Sequence, residues 1–339
     1  MILLGDAANA VAEGADCIRA GALLGLPTET VYGLAADACN DVAVAKIFVA
    51  KGRPADHPLI VHVAHAQAVA HFASDIPAFA QVLMNTFWPG PLTLILPRRS
   101  GVATATAGGN PTIGVRCPAH PVALALLKQL LSAEAHTVWG LAAPSANQFG
   151  RVSPTTAAHV QSEMGADLLI LDGGPCEVGI ESTIIDCSRG QPVLLRPGVI
   201  TPDQVQAACG LRVLLKGDVA ELAAPAPKAS GTLESHYAPR AKVRLMDAAA
   251  IGTALDLLRG TRDSDRAPTL ALYSRKRFAR VPAFMAQRTM PTHAAAAAHE
   301  LFAVLRALDD LGVAALWVET PPPDVAWDGV RDRLQRAAS

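Results

Sequence analysis

The stretch Leu26–Val63, LPTETVYGLAADACNDVAVAKIFVAKGRPADHPLIVHV, decides how this chain is read. It leaves the apolar run Leu23–Leu26 through a polar turn, Pro27-Thr28-Glu29-Thr30. Asn40 or Asp41 can cap a helix whose apolar face is Val42, Val44, Ile47 and Phe48. Gly52 and Pro54 discourage continuation, so that helix ends near Lys51. The apolar run Leu59–Val63, with His62 set into it, follows as a buried strand. Two cations one residue apart, Lys51 and Arg53, sit between the helix and the strand, a placement that suits capture of an anionic ligand at a sheet edge.

Working outward, strand and helix patterns alternate on both sides of this stretch. Helices are predicted over Asp6–Arg19, Pro77–Phe87, Pro121–Leu131 and Thr156–Met164, and strands over Ala22–Leu26, Leu92–Leu96, Thr112–Arg116, Val138–Ala143, Leu168–Leu171, Ser182–Asp186 and Val193–Arg196. Thr201-Pro202-Asp203-Gln204 is a capping box with proline at the first helical position. Ser153-Pro154-Thr155 offers Ser153 as a helix cap, and residues 98–111, rich in Gly, Ala and Thr without a period, read as a mobile surface loop. Strand-to-strand steps near 92–116 and 182–196 predict an α/β fold built on a mixed, twisted open sheet rather than a doubly wound one.

A chain of 339 residues predicts two domains. Residues 1–216 carry the mixed sheet, and 217–241, where Pro225, Pro227, Pro239 and Gly231 lie among alanines, read as a linker. From Lys242 a second unit alternates strand and helix to the C-terminus, a smaller Rossmann-like α/β domain over 242–339. It lacks GxGxxG, so the likeness carries no cofactor inference.

Apolar residues make up 51% and charged residues 17% of the chain, which describes a globular protein. A net charge of −1 argues against nucleic-acid binding through a broad basic surface; Arg275-Lys276-Arg277 with Arg280 is the one basic cluster, and a solvated loop explains it as well. The six cysteines are scattered without a CxxC pair, no secretory leader is read before the first helix, and no apolar run reaches the ~20 residues of a membrane span. A soluble cytoplasmic protein, with no membrane partner, is expected.

The P-loop, HExxH and GxSxG devices are absent, and His57, His62 and His65 lack partners at metal-ligand spacing. What remains stands at loop–strand junctions: the cations Lys51, Arg53, Arg116 and Arg196, with Thr28, Thr30, Thr112, Ser145, Asn147, Ser153, Ser182 and Thr183. Ligands of α/β sheets collect outside strand ends, so the residues point to a phosphate-bearing small molecule, a nucleotide being the natural candidate. For Arg116 and Arg196 structural ion pairs remain the alternative, and for His62 a satisfied core histidine. The reaction is not given by these residues.

Taken together, PTETVYGL at Pro27–Leu34, KGRP at Lys51–Pro54, HPLIVHV at His57–Val63, WPGPLTLIL at Trp88–Leu96, TIGVRCP at Thr112–Pro118, APSAN at Ala143–Asn147, ESTIID at Glu181–Asp186, LRPG at Leu195–Gly198 and SHYAP at Ser235–Pro239 resemble the two-domain threonylcarbamoyl-AMP synthase family, whose first domain has the YrdC-like fold. The resemblance implies a nucleotidyltransferase reaction. Threonine and bicarbonate form a carbamate that attacks the α-phosphate of ATP and releases pyrophosphate, and the product feeds tRNA-threonylcarbamoyl transferase proteins that modify the adenosine beside the anticodon. The family's Lys-x-Arg and Ser-x-Asn signature falls on Lys51, Arg53, Ser145 and Asn147. Its threonine-binding positions fall on Thr30, His62, Arg116, Ala143 and Ser182, and its ATP-binding positions on Arg53, His57, Thr112, Ser145, Ser153, Arg196 and Tyr237. Histidine at position 57 departs from the family's common asparagine and adds a titratable group. Mg²⁺ is expected with ATP, held by phosphates and water. The carbamate is readily lost to water, so a cover is expected, and the linker around Ser230–Tyr237 is the segment for it. Lys51→Ala is expected to lose activity while leaving the fold intact. A double-stranded-RNA-binding module without synthase activity is the alternative reading, with weak RNA binding left open; few aromatics for base stacking count against it. A related carbamoyl-transfer maturation factor would carry zinc-finger segments, which the cysteine spacing excludes.

Overall fold

The computed structural model describes residues 1–133, 136–215, 217–218, 227–229, 236–258, 269–279 and 281–339. The chain divides into two compact units, Met1–Phe149 with Ser153–Thr232, and Gly150–Val152 with Leu233–Ser339. The division falls inside the expected linker segment, of which Pro225, Ser230, Gly231, Thr232 and Ser235 lie outside the described residues, as does Arg280. Nothing in the sequence signals that Gly150–Val152 belongs with the second unit.

The strands of the first unit are β1 (Ile2–Leu4), β2 (Leu24–Leu26), β3 (Gly33–Asp37), β4 (Ile60–His62), β5 (Leu92–Pro97), β6 (Thr112–Arg116), β7 (Leu141–Ala142), β8 (Leu169–Asp172), β9 (Thr183–Asp186) and β10 (Val193–Arg196). They form one sheet in the order β1-β8-β2-β3-β7-β4-β6-β5-β9-β10. β4 runs parallel to β6 and β5 to β9, whereas β5–β6 and β9–β10 are antiparallel, as the strand-to-strand steps predict. The helices are α1 (Ala10–Arg19), α2 (Asp41–Lys51), α3 (Val69–Phe72), α4 (Ala78–Phe87), α5 (Pro121–Leu131), α6 (Ala157–Met164) and α7 (Pro202–Cys209). Tyr32, Leu34, Ile47, Val61, Leu94, Val115 and Ile185 belong to one large buried cluster; Leu24, Leu26, Leu126 and Leu141 belong to another.

Helix α2 matters most for the site. Asn40 rather than Asp41 caps it, its side chain accepting from the Ala43 N–H at 3.1 Å. Gly52 takes a left-handed conformation (φ 61°) and ends the helix at Lys51. Ala43 replaces Val42 on the buried face, because Val42 is exposed.

One further expectation is refined and one corrected. Residues 98–111 form a loop with exposed positions, as expected, but it is anchored inward: Ala103, Thr106 and Ala107 are buried, and Thr106 donates to the Ala38 carbonyl at 2.7 Å and accepts the Leu59 N–H at 2.8 Å through its own carbonyl. Ser153 does not cap α6; Thr156 does, accepting from the His159 N–H, which leaves Ser153 for a buried contact described below.

The second unit contains β11 (Lys242–Met246), α8 (Ala248–Leu257), β12 (Leu270–Ser274), β13 (Met285–Thr289), α9 (Ala294–Asp309), β14 (Ala315–Glu319) and α10 (Asp328–Ala337). Its sheet is parallel throughout, in the order β11-β14-β12-β13.

Candidate active site

Strand register assembles the site. Residues directly paired on neighbouring strands share a face, and alternate residues of one strand point the same way. His62 pairs with Arg116; Leu94 pairs with Val115, which sets Thr93 beside Arg116; Thr93 pairs with Ile184, and Ile184 with Arg196. One face of the sheet therefore carries His62, Arg116, Thr93 and Arg196 in a row across β4, β6, β5 and β10. Thr112 shares this face, about 13 Å from Arg116 by four strand steps.

Both arginines are buried and held from several sides. Arg116 donates through Nη1 to Thr30 Oγ1 at 2.8 Å, through Nη2 to Glu29 Oε1, and through Nε to the Gly90 carbonyl at 3.1 Å. Arginine only donates, so the chain of hydrogens has one direction. Thr30 passes its hydroxyl hydrogen to Thr28 Oγ1, 2.9 Å away, and Thr28 donates to the Val31 carbonyl at 2.6 Å. Arg196 donates through Nε and Nη2 to the Ser182 carbonyl, at 3.1 and 2.9 Å, and through Nη2 to Ser182 Oγ at 3.2 Å. Ser182 Oγ lies 2.8 Å from Thr93 Oγ1. Arg116 thus does form the structural ion pair that its sequence context left open, with Glu29, while still standing on the polar face.

His62 stands at the end of this row, next to Arg116. Burial, and then the neighbouring Arg116, push its pKa down to about 3, so its imidazole is neutral. Its Nδ1 is buried and makes no hydrogen bond of ordinary geometry among the described residues, with the main chain of Ile60 and Leu141 beside the ring. An orphaned buried nitrogen on a row of anchored polar groups marks a place for a ligand atom. Ala143 contributes main chain, its N–H donating to the Ile60 carbonyl at 3.1 Å.

A second cluster stands at the end of α2. Lys51 is only 2% exposed, which excludes a solvated helix-end charge. Its Nζ donates to the carbonyls of Ser145 and Asn147, both at 2.5 Å. Burial and the neighbouring Arg53 draw its pKa down to about 7, against the opposing pull of Glu163 and Glu181. The expectation that Lys51→Ala leaves the fold intact is corrected accordingly, since the substitution strands two carbonyl oxygens. Arg53 Nη2 donates to the Pro58 carbonyl at 3.0 Å, and His57 meets Phe149 edge-on with ring centroids 5.7 Å apart. Burial and Arg53 lower the His57 pKa. Ser145 is held against Gly33 by an isolated bridge.

The two clusters meet in the segment leading into β9. Glu181 accepts a hydrogen bond from Ser153, interacts electrostatically with Lys51, and is followed by Ser182. Thr112 lines a narrow cleft with Pro58, Leu59, Ile60 and Gly114, and Lys228 and Ala229 of the linker form its other wall. Lys228 is also paired with Asp56 at 2.7 Å. Tyr237 belongs to the second unit, where its backbone is left-handed (φ 63°) and its ring lies 5.5 Å from that of Phe302 and 5.3 Å from the Arg333 guanidinium.

Three polar residues of the site escaped the sequence reading. Glu29 sat in view inside PTET, but only the fold brings Arg116 to it. Thr93 is hidden in the apolar run Leu92–Leu96, and Glu181 begins ESTIID; a polar residue inside or beside a strand of apolar neighbours was the available signal for both.

Fold and site define a two-unit α/β protein with a buried face of cations and hydroxyls built at strand ends. Residues 16–198 match the Sua5_yciO_yrdC family, described as telomere recombination, and residues 200–339 match the Sua5_C family, described as threonylcarbamoyl-AMP synthase, C-terminal domain. The chain belongs to the Sua5/YciO/YrdC family. It is 44% identical over 231 residues to a threonylcarbamoyl-AMP synthase of Pyrococcus abyssi and 42% identical over 241 residues to one of Bacillus subtilis. These alignments take in 68% and 70% of the chain and 66% of each relative, just under two thirds of their length. Among solved structures it resembles P. abyssi Sua5 complexed with L-threonine, with a TM-score of 0.84, 34% identity, and coverage of 97% of this chain and 94% of that one. A doubly substituted P. abyssi Sua5 gives 0.86 at 32% identity over 100% and 96% of the two chains.

Proposed function

We propose that the chain is a threonylcarbamoyl-AMP synthase. L-Threonine and bicarbonate condense to a carbamate with loss of water. A carbamate oxygen then bonds to the α-phosphorus of ATP as the bond to the bridging oxygen breaks, and pyrophosphate leaves with that electron pair. The observation that carries this reading is the single sheet face on which neutral His62, whose Nδ1 makes no hydrogen bond of ordinary geometry, stands beside buried, anchored Arg116, with Thr93 and anchored Arg196 further along the same row. The L-threonine complex of the similar Sua5 supports the amino-acid substrate.

In this reading Thr30, His62, Arg116, Ala143 and Ser182 hold threonine, the Arg116 guanidinium meeting its carboxylate. Arg53, His57, Thr112, Ser145, Asn147, Ser153 and Arg196 serve ATP. As the ammonium, the form that a bound triphosphate would favour, Lys51 has three hydrogens, two of them on carbonyls, so one remains for a phosphate oxygen. Positioning and electrostatic stabilisation then suffice, and no protein nucleophile is needed. A Mg²⁺ would be carried on the triphosphate and water. That ion would offset phosphate charge. Lys228 and Ala229 beside Thr112 support the linker as a cover for the carbamate.

The product would pass to tRNA-threonylcarbamoyl transferase proteins. No helix among the described residues is long and apolar enough to cross a membrane, and all six cysteines are free thiols, which suits a reducing cytoplasm. A double-stranded-RNA module is not favoured, because it gives no role to the buried cation–hydroxyl face. Pyrophosphate release from ATP is the test: release that requires both threonine and bicarbonate supports the synthase, and release indifferent to threonine rejects it.

A further inference from the structure

The second unit carries a groove that the synthase chemistry does not use. A cavity of about 650 Å³ lies between β13 and α9, with Arg277, Gln287, Arg288 and Thr289 on one side. Among the described residues β13 is an edge strand, paired only with β12. Met290 donates its N–H to the Ser274 carbonyl at 2.9 Å, so by strand alternation the main-chain groups of Gln287 and Thr289 point away from β12, to the open edge. Across the groove Glu300, Ala303, Val304 and Ala307 fall at helical spacing on one stripe of α9, none of them fully buried. Glu300 is already engaged by the Tyr273 hydroxyl at 2.9 Å. Arg277 and Arg288 are exposed and have no ion-pair partner among the described residues.

We propose that this groove is a strand-addition site for an extended acidic segment of a partner protein. The segment would pair with the outward N–H and C=O groups of Gln287 and Thr289 and, on the face that Arg288 shares with Tyr273 and α9, bring carboxylates to Arg277 and Arg288. The backbone distinguishes this occupant from a small anion. The open edge presents donors and acceptors in alternation, whereas a phosphate brings acceptors and would leave the edge carbonyls unmatched. A peptide matches both.

The test uses the full chain and a fluorescein-labelled peptide, Thr-Glu-Val-Glu-Val-Glu, with its lysine counterpart as control, read by anisotropy. Saturable binding of the acidic peptide is expected, roughly tenfold weaker in the double variant Arg277→Glu, Arg288→Glu. Gln287→Pro removes an outward N–H without touching the β12 ladder and should abolish binding in a protein still folded by circular dichroism. Threonine-dependent pyrophosphate release should be unchanged in all variants, which separates this proposal from the synthase reading. No binding, equal binding of the lysine peptide, undiminished affinity in the double arginine variant, or displacement by inorganic phosphate at concentrations equal to the peptide's would overturn it.

Discussion

Glu29→Gln is the most informative single change in the first unit. The Glu29 carboxylate and the Arg116 guanidinium form an ion pair whose side chains are 6% and 4% exposed. Removing one charge of a buried pair strands the other, at a cost of about 3–5 kcal/mol. Glutamine keeps one acceptor for Nη2, so the lower end, about 3 kcal/mol, is expected. At about 2–4 °C per kcal/mol for a unit of this size, the melting transition of the first unit should fall by about 6–12 °C. Arg116 keeps that hydrogen bond but loses the carboxylate charge that holds it in place, so the KM for threonine should rise roughly tenfold while that for ATP barely moves. Differential scanning calorimetry and pyrophosphate release against each substrate measure the two effects. A melting shift below about 2 °C together with an unchanged threonine KM would refute the argument that Glu29 positions Arg116.

Lys51→Ala should abolish most turnover and also destabilise the first unit by roughly 2–4 kcal/mol, because two carbonyls lose their donor; Lys51→Met, which keeps the stem, should recover part of the stability and none of the turnover. His62 titrates in the unfolded chain near 6.5 but is held to about 3 when folded. Its contribution to stability is therefore complete above about pH 6.5 and is lost as the pH falls towards 3, with a slope of up to about 1.4 kcal/mol per pH unit. His62→Gln should flatten that slope in melting curves recorded from pH 4 to 7, and an identical slope in both proteins contradicts it. Gly198→Ala places a methyl 2.5 Å from the Thr183 nitrogen and 3.0 Å from the Glu181 carbonyl oxygen. It should cost about 1–3 kcal/mol and weaken binding of both substrates, with wild-type kinetics as the opposing result.

How legible the molecule was depended on whether local chemistry or tertiary contact set each element. The predicted ranges Thr112–Arg116 and Pro121–Leu131 coincide with β6 and α5, where a β-branched run and a Pro-started apolar helix agree with their surroundings. Strand β3, Gly-Leu-Ala-Ala-Asp, has no β-branched residue and is a strand only because β2 and β7 flank it. The polar edge strand β13 was missed for a related reason: Met285-Ala286-Gln287-Arg288-Thr289 lacks an apolar run. Within the site, Arg116, Arg196, Ser182 and His62 were visible as polar residues at strand ends. That Ser153 turns to Glu181 instead of capping a helix follows from packing that no local pattern encodes.

In the proposed synthase, threonine, bicarbonate and the α-phosphate of ATP meet in one pocket. Incubation of the full chain with threonine, ¹⁴C-bicarbonate and ATP labelled with ³²P at the α-position tests this most directly. The prediction is one threonine-dependent product carrying both labels, formed with stoichiometric pyrophosphate. Labels that never appear together, or AMP as the sole phosphorylated product, would contradict it.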